Sequence, residues 1–275
     1  MNMSTPFFFE ATEKRLELHL KPAINAVSKV NLLQYSDDFW QRQLNHCGAT
    51  ILTQLKNKYC HAYVLSESSL FVFSQRLILV TCGNCPLVET ASALIQYFAA
   101  NNIAHIHFYR QQEQQPQYQL SQFSQDAQQL RCLLGGNSHS QNRVFEYLAD
   151  DMEPLLRSNH KLQLAQLKGP LVATIQKGQL NKSELRHKLG LEQLAANYCL
   201  NDWLFEPVGY SVNGLDDEQY FTLHLSPEEE CSLLSLETND SQLWQRLSPY
   251  LLQQFSPLQH TTSLANLKLD AVAID

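Results

Sequence analysis

Short runs in which apolar and polar residues alternate dominate this chain, and they predict strands. Segments 16–20, 61–65, 69–73 and 76–80 are four such runs, rich in Leu, Val, Ile and Phe. Segment 103–109 reads Ile-Ala-His-Ile-His-Phe-Tyr, the pattern of a half-buried strand, and 144–148, 220–225 and 232–236 add three more. Helical periodicity interrupts the strands at a few places. A helix over 39–44 follows Ser36, Asp37 and Asp38, which suit an N-terminal cap. In 87–100, Leu87, Ala91, Leu94, Ile95 and Phe98 share one face, and Asn101-Asn102 ends the pattern. Further helices are predicted over 125–134, stopped by Gly135-Gly136, and over 241–255.

The strands come in groups with helices between the groups, which favours an α+β fold of largely antiparallel sheets over a doubly wound parallel one. Segments 69–100 and 220–255 both run strand, strand, helix, which suggests two similar halves. The glutamine-rich stretch 111–129 reads as a surface loop leading into a helix, and 267–274 as a last strand.

Composition narrows the function classes. With 275 residues and 44% hydrophobic content the chain can bury a substantial core. A net charge of −7 with no basic tract argues against a nucleic-acid partner. Phe7-Phe8-Phe9 is too short for a signal-peptide core, and no apolar run has the length of a membrane span, so a cytoplasmic protein without membrane contact is expected. Seven cysteines, an odd and scattered set, read as reduced thiols.

Five segments carry candidate chemistry. In His61-Ala-Tyr-Val-Leu-Ser-Glu-Ser-Ser-Leu-Phe-Val72 two strands flank a polar turn, whose serines would ordinarily cap backbone groups. The sharper alternative is that a serine hydroxyl attacks the carbonyl before it and moves the acyl group from nitrogen to oxygen, helped by a strained turn. Thr81-Cys-Gly-Asn-Cys85 has neither a second Cys-x-x-Cys nor a His pair at ligand spacing. It reads as ordinary thiols at a strand-to-helix turn or as one working thiol at Cys82; no metal is expected. The carboxylates of 9–17 suggest a solvated face leading into a strand, 204–214 a turn-rich connection, and His224 a histidine within a strand.

Taken together and in order, these segments resemble the eukaryotic-type S-adenosylmethionine decarboxylases. The run Tyr63-Val-Leu-Ser-Glu-Ser-Ser-Leu-Phe-Val72 is similar to that family's self-cleavage segment. Phe9-Glu-Ala-Thr-Glu-Lys14, Thr81-Cys-Gly83, Pro207-Val-Gly-Tyr-Ser-Val-Asn-Gly214 and His224-Leu-Ser-Pro-Glu228 are similar to its other motifs. The resemblance covers nearly the whole chain, which is shorter in the middle and at its C-terminus. It implies a four-layer αββα sandwich, two antiparallel sheets face to face with helices outside. It also implies one domain, 1–275, that cuts itself into a small chain, 1–67, and a large chain, 68–275, which stay associated. By this resemblance Ser68 attacks Glu67, Ser211 helps to hold the intermediate, and His224 takes the α-proton of Ser68, leaving a covalent pyruvoyl cofactor. That group would bind the amine of S-adenosylmethionine as a Schiff base and act as the electron sink for decarboxylation. Cys82 would reprotonate the product. Phe9 and Phe205 would clamp the adenine, with Leu65 also at the substrate and Glu228 on the ribose hydroxyls. Glu10 and Glu13 match the family's acidic pair, and a homodimer is compatible with the family.

Three departures stand out. Ala11 replaces the family's glycine. Val80 stands where animal members have a lysine of a buried charged network tied to putrescine activation, and Gln163 falls where that network has a glutamate, although Glu17 and Glu237 remain. Little or no putrescine stimulation is therefore expected. A pyruvoyl enzyme retuned to ornithine or arginine is disfavoured by Phe9, Phe205 and Glu228. An uncleaved regulatory subunit is disfavoured by the survival of Ser68, Cys82 and His224.

Overall fold

The computed structural model describes residues 12–22, 30–113, 115–153, 158–228, 232–257 and 259–266. The predicted strand at 267–274 lies outside the described residues. The first half runs β1 (Lys14–Leu20), α1 (Asp37–Leu44), β2 (Ile51–Lys56), β3 (Cys60–Leu65), β4 (Ser68–Phe73), β5 (Arg76–Thr81), α2 (Leu87–Phe98) and β6 (Ile103–Arg110), then α3 (Phe123–Leu134), β7 (Asn137–His139) and β8 (Val144–Leu148). The second runs β9 (Ser158–Ala165), α4 (Pro170–Gln176), α5 (Lys182–Lys188), α6 (Leu191–Leu194), β10 (Cys199–Leu204), β11 (Tyr210–Asp216), β12 (Gln219–Ser226), β13 (Leu233–Thr238), α7 (Ser241–Phe255) and β14 (Gln259–Asn266). No described helix is long and apolar enough to cross a membrane.

The eight-stranded sheet is ordered β2-β3-β4-β5-β1-β6-β8-β7 and the six-stranded sheet β10-β11-β12-β13-β9-β14. Every pairing is antiparallel. Six strands of the first sheet therefore repeat the order of the second, with α2 after β5 matching α7 after β13. The two similar halves and the antiparallel α+β class expected from the sequence are both present.

Alternation along each strand sorts side chains into four layers. Leu16, Leu18, Leu70, Leu79, Ile106 and Phe108 face α1, α2 and α3 in one apolar core. Leu162, Leu164, Val212, Leu223, Leu236 and Phe221 face α4 to α7 in another. The opposite faces meet each other. There Phe71, Ile78, Val80, Leu215 and Tyr220 form a small apolar cluster, and the Phe71 and Tyr220 rings lie 4.7 Å apart. Most of the remaining contact between sheets is polar. Arg15 makes paired hydrogen bonds of 2.8 and 2.9 Å to Glu237 across the sheets and a 2.8 Å bond to Glu17 beside it. Glu17 also accepts from Arg76 at 3.4 Å and contacts His19, and Tyr220 donates to Glu237 at 2.7 Å.

Two expectations are corrected here. The charged entry to β1 is not a solvated face: Glu13, Lys14, Arg15, Glu17 and His19 are all buried, because the second sheet covers one side of the strand and the helices the other. Nor is 204–214 a connection throughout, since its second part is β11, buried along most of its length. Gly214 sits in that strand opposite Phe221, and a Cβ there would lie 2.1 Å from a ring carbon of Phe221. The glycine lets an aromatic ring approach the backbone.

Two predictions follow from this packing. Gly214→Ala should lower stability by about 1–3 kcal/mol, the usual range for overpacking a filled core, as read by urea denaturation. Stability should also fall as pH drops through the window from about 6.5 to about 3. Burial pushes His105 down to about 4 and His107 down to about 3. An unfolded histidine takes up its proton near 6.5, so below that pH the unfolded state binds more protons and gains. The urea midpoint should decline across that window, and His107→Gln should make the decline shallower.

Candidate active site

The turn at Ser66-Glu67 joins β3 to β4 and is held from two sides. Ser66 donates its backbone N–H to the Thr50 carbonyl at 2.9 Å and accepts the Thr50 N–H on its hydroxyl at 3.0 Å. The Glu67 carbonyl accepts the Cys82 N–H at 3.1 Å. Ser68, buried at the start of β4, pairs with Leu65 on one side and Thr81 on the other. Its φ is 133°. That region disfavours any residue with a Cβ and costs about 1–3 kcal/mol, so the surrounding strands impose it. The peptide bond before Ser68 thus combines a strained residue with a carbonyl already polarised by a backbone donor.

Cys82 follows β5 immediately. Burial, and then the Glu67 carboxylate, push its thiol up to about 12, with Glu228 acting in the same direction. It is a protonated thiol at neutral pH and interacts with both carboxylates. Glu67 itself is raised by burial, partly opposed by Lys14. Lys14 is pinned to the adjoining turn through the Gly83 and Cys85 carbonyls at 2.8 and 2.9 Å.

The other wall comes from the second sheet. Ser211 on β11 and His224 on β12 are directly paired residues, and Ser211 Oγ lies 2.8 Å from His224 Nδ1. His224 Nε2 lies 2.9 Å from Thr222 Oγ1. Burial pushes His224 down to about 4, so its ring is neutral and available as a base. Ser69 Oγ donates to Asn213 Oδ1 at 2.8 Å, which ties the residue after Ser68 to the Ser211 strand. Glu67, Ser68 and Cys82 thus cluster on the first sheet and Ser211 and His224 on the second, and the Ser69–Asn213 bond ties the two groups across the interface.

Other expected residues stand differently. Leu65 ends β3 opposite Ser68, and its side chain belongs to the core beneath the helices. Glu228, just beyond β12, keeps a buried Oε2 without a hydrogen-bond partner, and burial raises its carboxyl. Phe205 follows β10 and begins the loop containing the cis Glu206-Pro207 bond, closed by its N–H to the Gly209 carbonyl at 2.9 Å. It lines a cavity of about 270 Å³ with Ile175, Leu185 and Val208. Glu13 forms a cross-sheet ion pair with Lys161, with Gln163 3.4 Å away, and its side chain makes no described contact with Ser68. Phe9, Glu10 and Ala11 lie outside the described residues. Among the described residues no group of three or more His, Cys, Asp or Glu is placed to hold a metal ion.

Sequence reasoning missed Arg15, Lys161, Ser69, Asn213 and Thr222. Their shared signal is a polar residue next to an apolar one in a strand, which reads as exposure to water until a second sheet is known to cover that face.

Comparison with known proteins agrees with this geometry. The family model for adenosylmethionine decarboxylase matches residues 6–152 and 105–271. The chain is 28% identical over 285 residues to the S-adenosylmethionine decarboxylase proenzyme of Dictyostelium discoideum, covering 93% of this chain and 74% of that protein. With the Drosophila melanogaster proenzyme it shares 29% over 261 residues, covering 84% and 75%. The solved structure of a Trypanosoma brucei AdoMetDC-delta26 monomer has the same fold, with a TM-score of 0.52 and 23% identity over 70% of this chain and 78% of that one. On its sequence match across both halves, the chain belongs to the adenosylmethionine decarboxylase family.

Proposed function

We propose that this protein decarboxylates S-adenosylmethionine for polyamine synthesis, using a pyruvoyl group that it makes from Ser68 by cutting its own backbone. One observation carries the self-cutting reading: Ser68 is held at a φ of 133° with the carbonyl before it bonded to the Cys82 N–H. The Ser68 hydroxyl adds to the Glu67 carbonyl carbon, the C–N bond breaks, and the acyl group rests on Oγ as an ester. The donor already on the Glu67 oxygen stabilises the charge that develops there. Neutral His224 then takes the α-proton of Ser68, the Cβ–O bond breaks, and Glu67 leaves as a carboxylate. Water replaces the freed amine, which departs as ammonia.

The residues present fit the product of that sequence, since the acyl donor and nucleophile adjoin one another and the strand after them is tied by Ser69 to the sheet that carries the base. A pyruvoyl ketone supplies an electrophile for an amine and a sink for the electron pair left by carbon dioxide. Cys82, held as a thiol, delivers the proton to the α-carbon. Glu228 accepts from ribose hydroxyls. Phe205, with Phe9, offers aromatic faces to the adenine and to the sulfonium charge.

The strand order supports lasting association of the two pieces. Cutting before Ser68 leaves β1, β2 and β3 on the small chain, yet β1 stays hydrogen-bonded between β5 and β6 of the large chain. The Arg15–Glu237 pair also joins the two pieces. The same pair supports loss of diamine control: Arg15 and Arg76 supply cations to Glu17 and Glu237, leaving no call for an added one.

Denaturing mass spectrometry should show a small chain ending at Glu67 and a large chain beginning with pyruvoyl, while gel filtration without denaturant keeps them together. Ser68→Ala should stay whole and inactive. A single full-length wild-type chain, or normal cleavage of Ser68→Ala, overturns the reading. Labelled carbon dioxide should be released from S-adenosylmethionine and not from ornithine or arginine. Putrescine should leave that rate unchanged, and several-fold activation would contradict the account of Arg15.

A further inference from the structure

Three side chains outside the roles assigned above converge behind His224. Asn213 Oδ1 receives two hydroxyls, Ser69 Oγ at 2.8 Å and Thr222 Oγ1 at 2.8 Å. Thr222 Oγ1 also lies 3.3 Å from Ser69 Oγ and 2.9 Å from His224 Nε2. Ser69, Asn213 and Thr222 are all buried, so no bulk water competes for these groups.

With the Asn213 amide oxygen toward both hydroxyls and its buried Nδ2 without a partner, each bond has one direction. An amide oxygen accepts and never donates, so both hydroxyl protons point at Asn213. Thr222 has one proton, and it is spent there. Toward His224 it can only accept, so Nε2 must carry the ring's hydrogen. A neutral imidazole has one N–H, and Nδ1 is left with the lone pair, which accepts the Ser211 hydroxyl at 2.8 Å.

We infer that Thr222, oriented by Asn213 and Ser69, locks His224 in the Nε2–H tautomer and so makes Nδ1 the atom that takes the α-proton of Ser68. This rests on the reading of His224 as the elimination base. When the Ser211 hydroxyl turns to the oxygen of the intermediate, the Nδ1 lone pair is released. Nδ1 then takes the Cα proton as the Cβ–O bond breaks, and the imidazolium is held through its Nε2–H on Thr222. Thr222 and Asn213 are positioning residues in this step. Because Ser69 belongs to the strand that begins at Ser68, the lock closes only when the two sheets are docked in register.

The test is ¹⁵N NMR of the uncut Ser68→Ala chain labelled at histidine, with His224→Gln in the same background identifying the ring. Nε2 should be of the protonated type and Nδ1 of the unprotonated type, and adding Thr222→Val should shift both nitrogens toward a mixture of tautomers. In the otherwise native chain Thr222→Val should slow self-cleavage about tenfold or more, and Thr222→Ser should restore it. A proton on Nδ1, as the reversed amide orientation of Asn213 would give, overturns the inference. So does a Thr222→Val chain that cleaves at the parent rate. If His224→Gln alone cleaves at the parent rate, the base assignment beneath the inference falls, while the tautomer measured in Ser68→Ala still stands as a separate result.

Discussion

Everything in this fold depends on how a polar interface between two sheets is kept dry. The apolar sides of both sheets are taken by helices, so charged and hydroxyl side chains must face one another. Burying Arg15, Glu17 and Glu237 is tolerable only because Arg15 satisfies both carboxylates. Removing one partner from such a group costs about 3–5 kcal/mol, since the remaining charge is left unpaired in the interior. Burial alone would push the Glu237 carboxyl up, yet Arg15 holds it below the usual carboxylate range. The ion pairs are therefore better understood as fixing register than as a source of net stability. A slip of one residue along β1 would send Arg15 toward the helices and Leu16 toward Glu237.

The same interface makes the site. Ser68 and its neighbour Ser69 come from the first sheet, and Ser211, Asn213, Thr222 and His224 from the second. Only docking in one register brings them together. The φ of Ser68 would relax in an isolated hairpin, but here β3 and β5 pair with it on both sides. Strain is stored at Ser68, the proposed cleavage point, and is supported by the docked sheets around it. Withdrawal from water has a second effect: it keeps His224 unprotonated and Cys82 protonated, the starting states that the proposed base and acid need.

Much of the fold could be read from pattern. The cores of β1, β3 to β6, β8, β12 and β13 and of α2 and α7 follow from alternation and helical period, and the strand-strand-helix echo is the real repeat of the sheet order. What escaped did so for physical reasons. In β9, Lys161 and Gln163 alternate with Leu162 and Leu164, so the segment looks half solvated, and its polar side in fact meets the other sheet. In β11 the glycine that suggested a turn makes room for Phe221. The glutamine-rich stretch looked like loose surface, yet Arg110 is buried against Glu113 and Asp126 and anchors it from within. At the site, pattern alone favoured capping serines at 66–69. The family resemblance singles out Ser68, and neither route gives Thr222 or Asn213 a role, since their meaning appears only when proton donors and acceptors are counted in three dimensions.

The repeated topology gives the last step. β4 and β12 hold the same rank in their sheets, each flanked by the two strands adjacent to it in sequence. One carries Ser68, the residue proposed to be converted, and the other His224, the proposed base. A cut at the head of β4 removes one covalent link of a hairpin but no ladder bond within β4–β5 or β1–β6. The sheet can therefore lose a peptide bond beside its most strained residue and keep the walls of the site. The proposed cleavage would relieve the strain that the fold imposes, and the interface that imposes it would remain in place to hold what the reaction leaves behind.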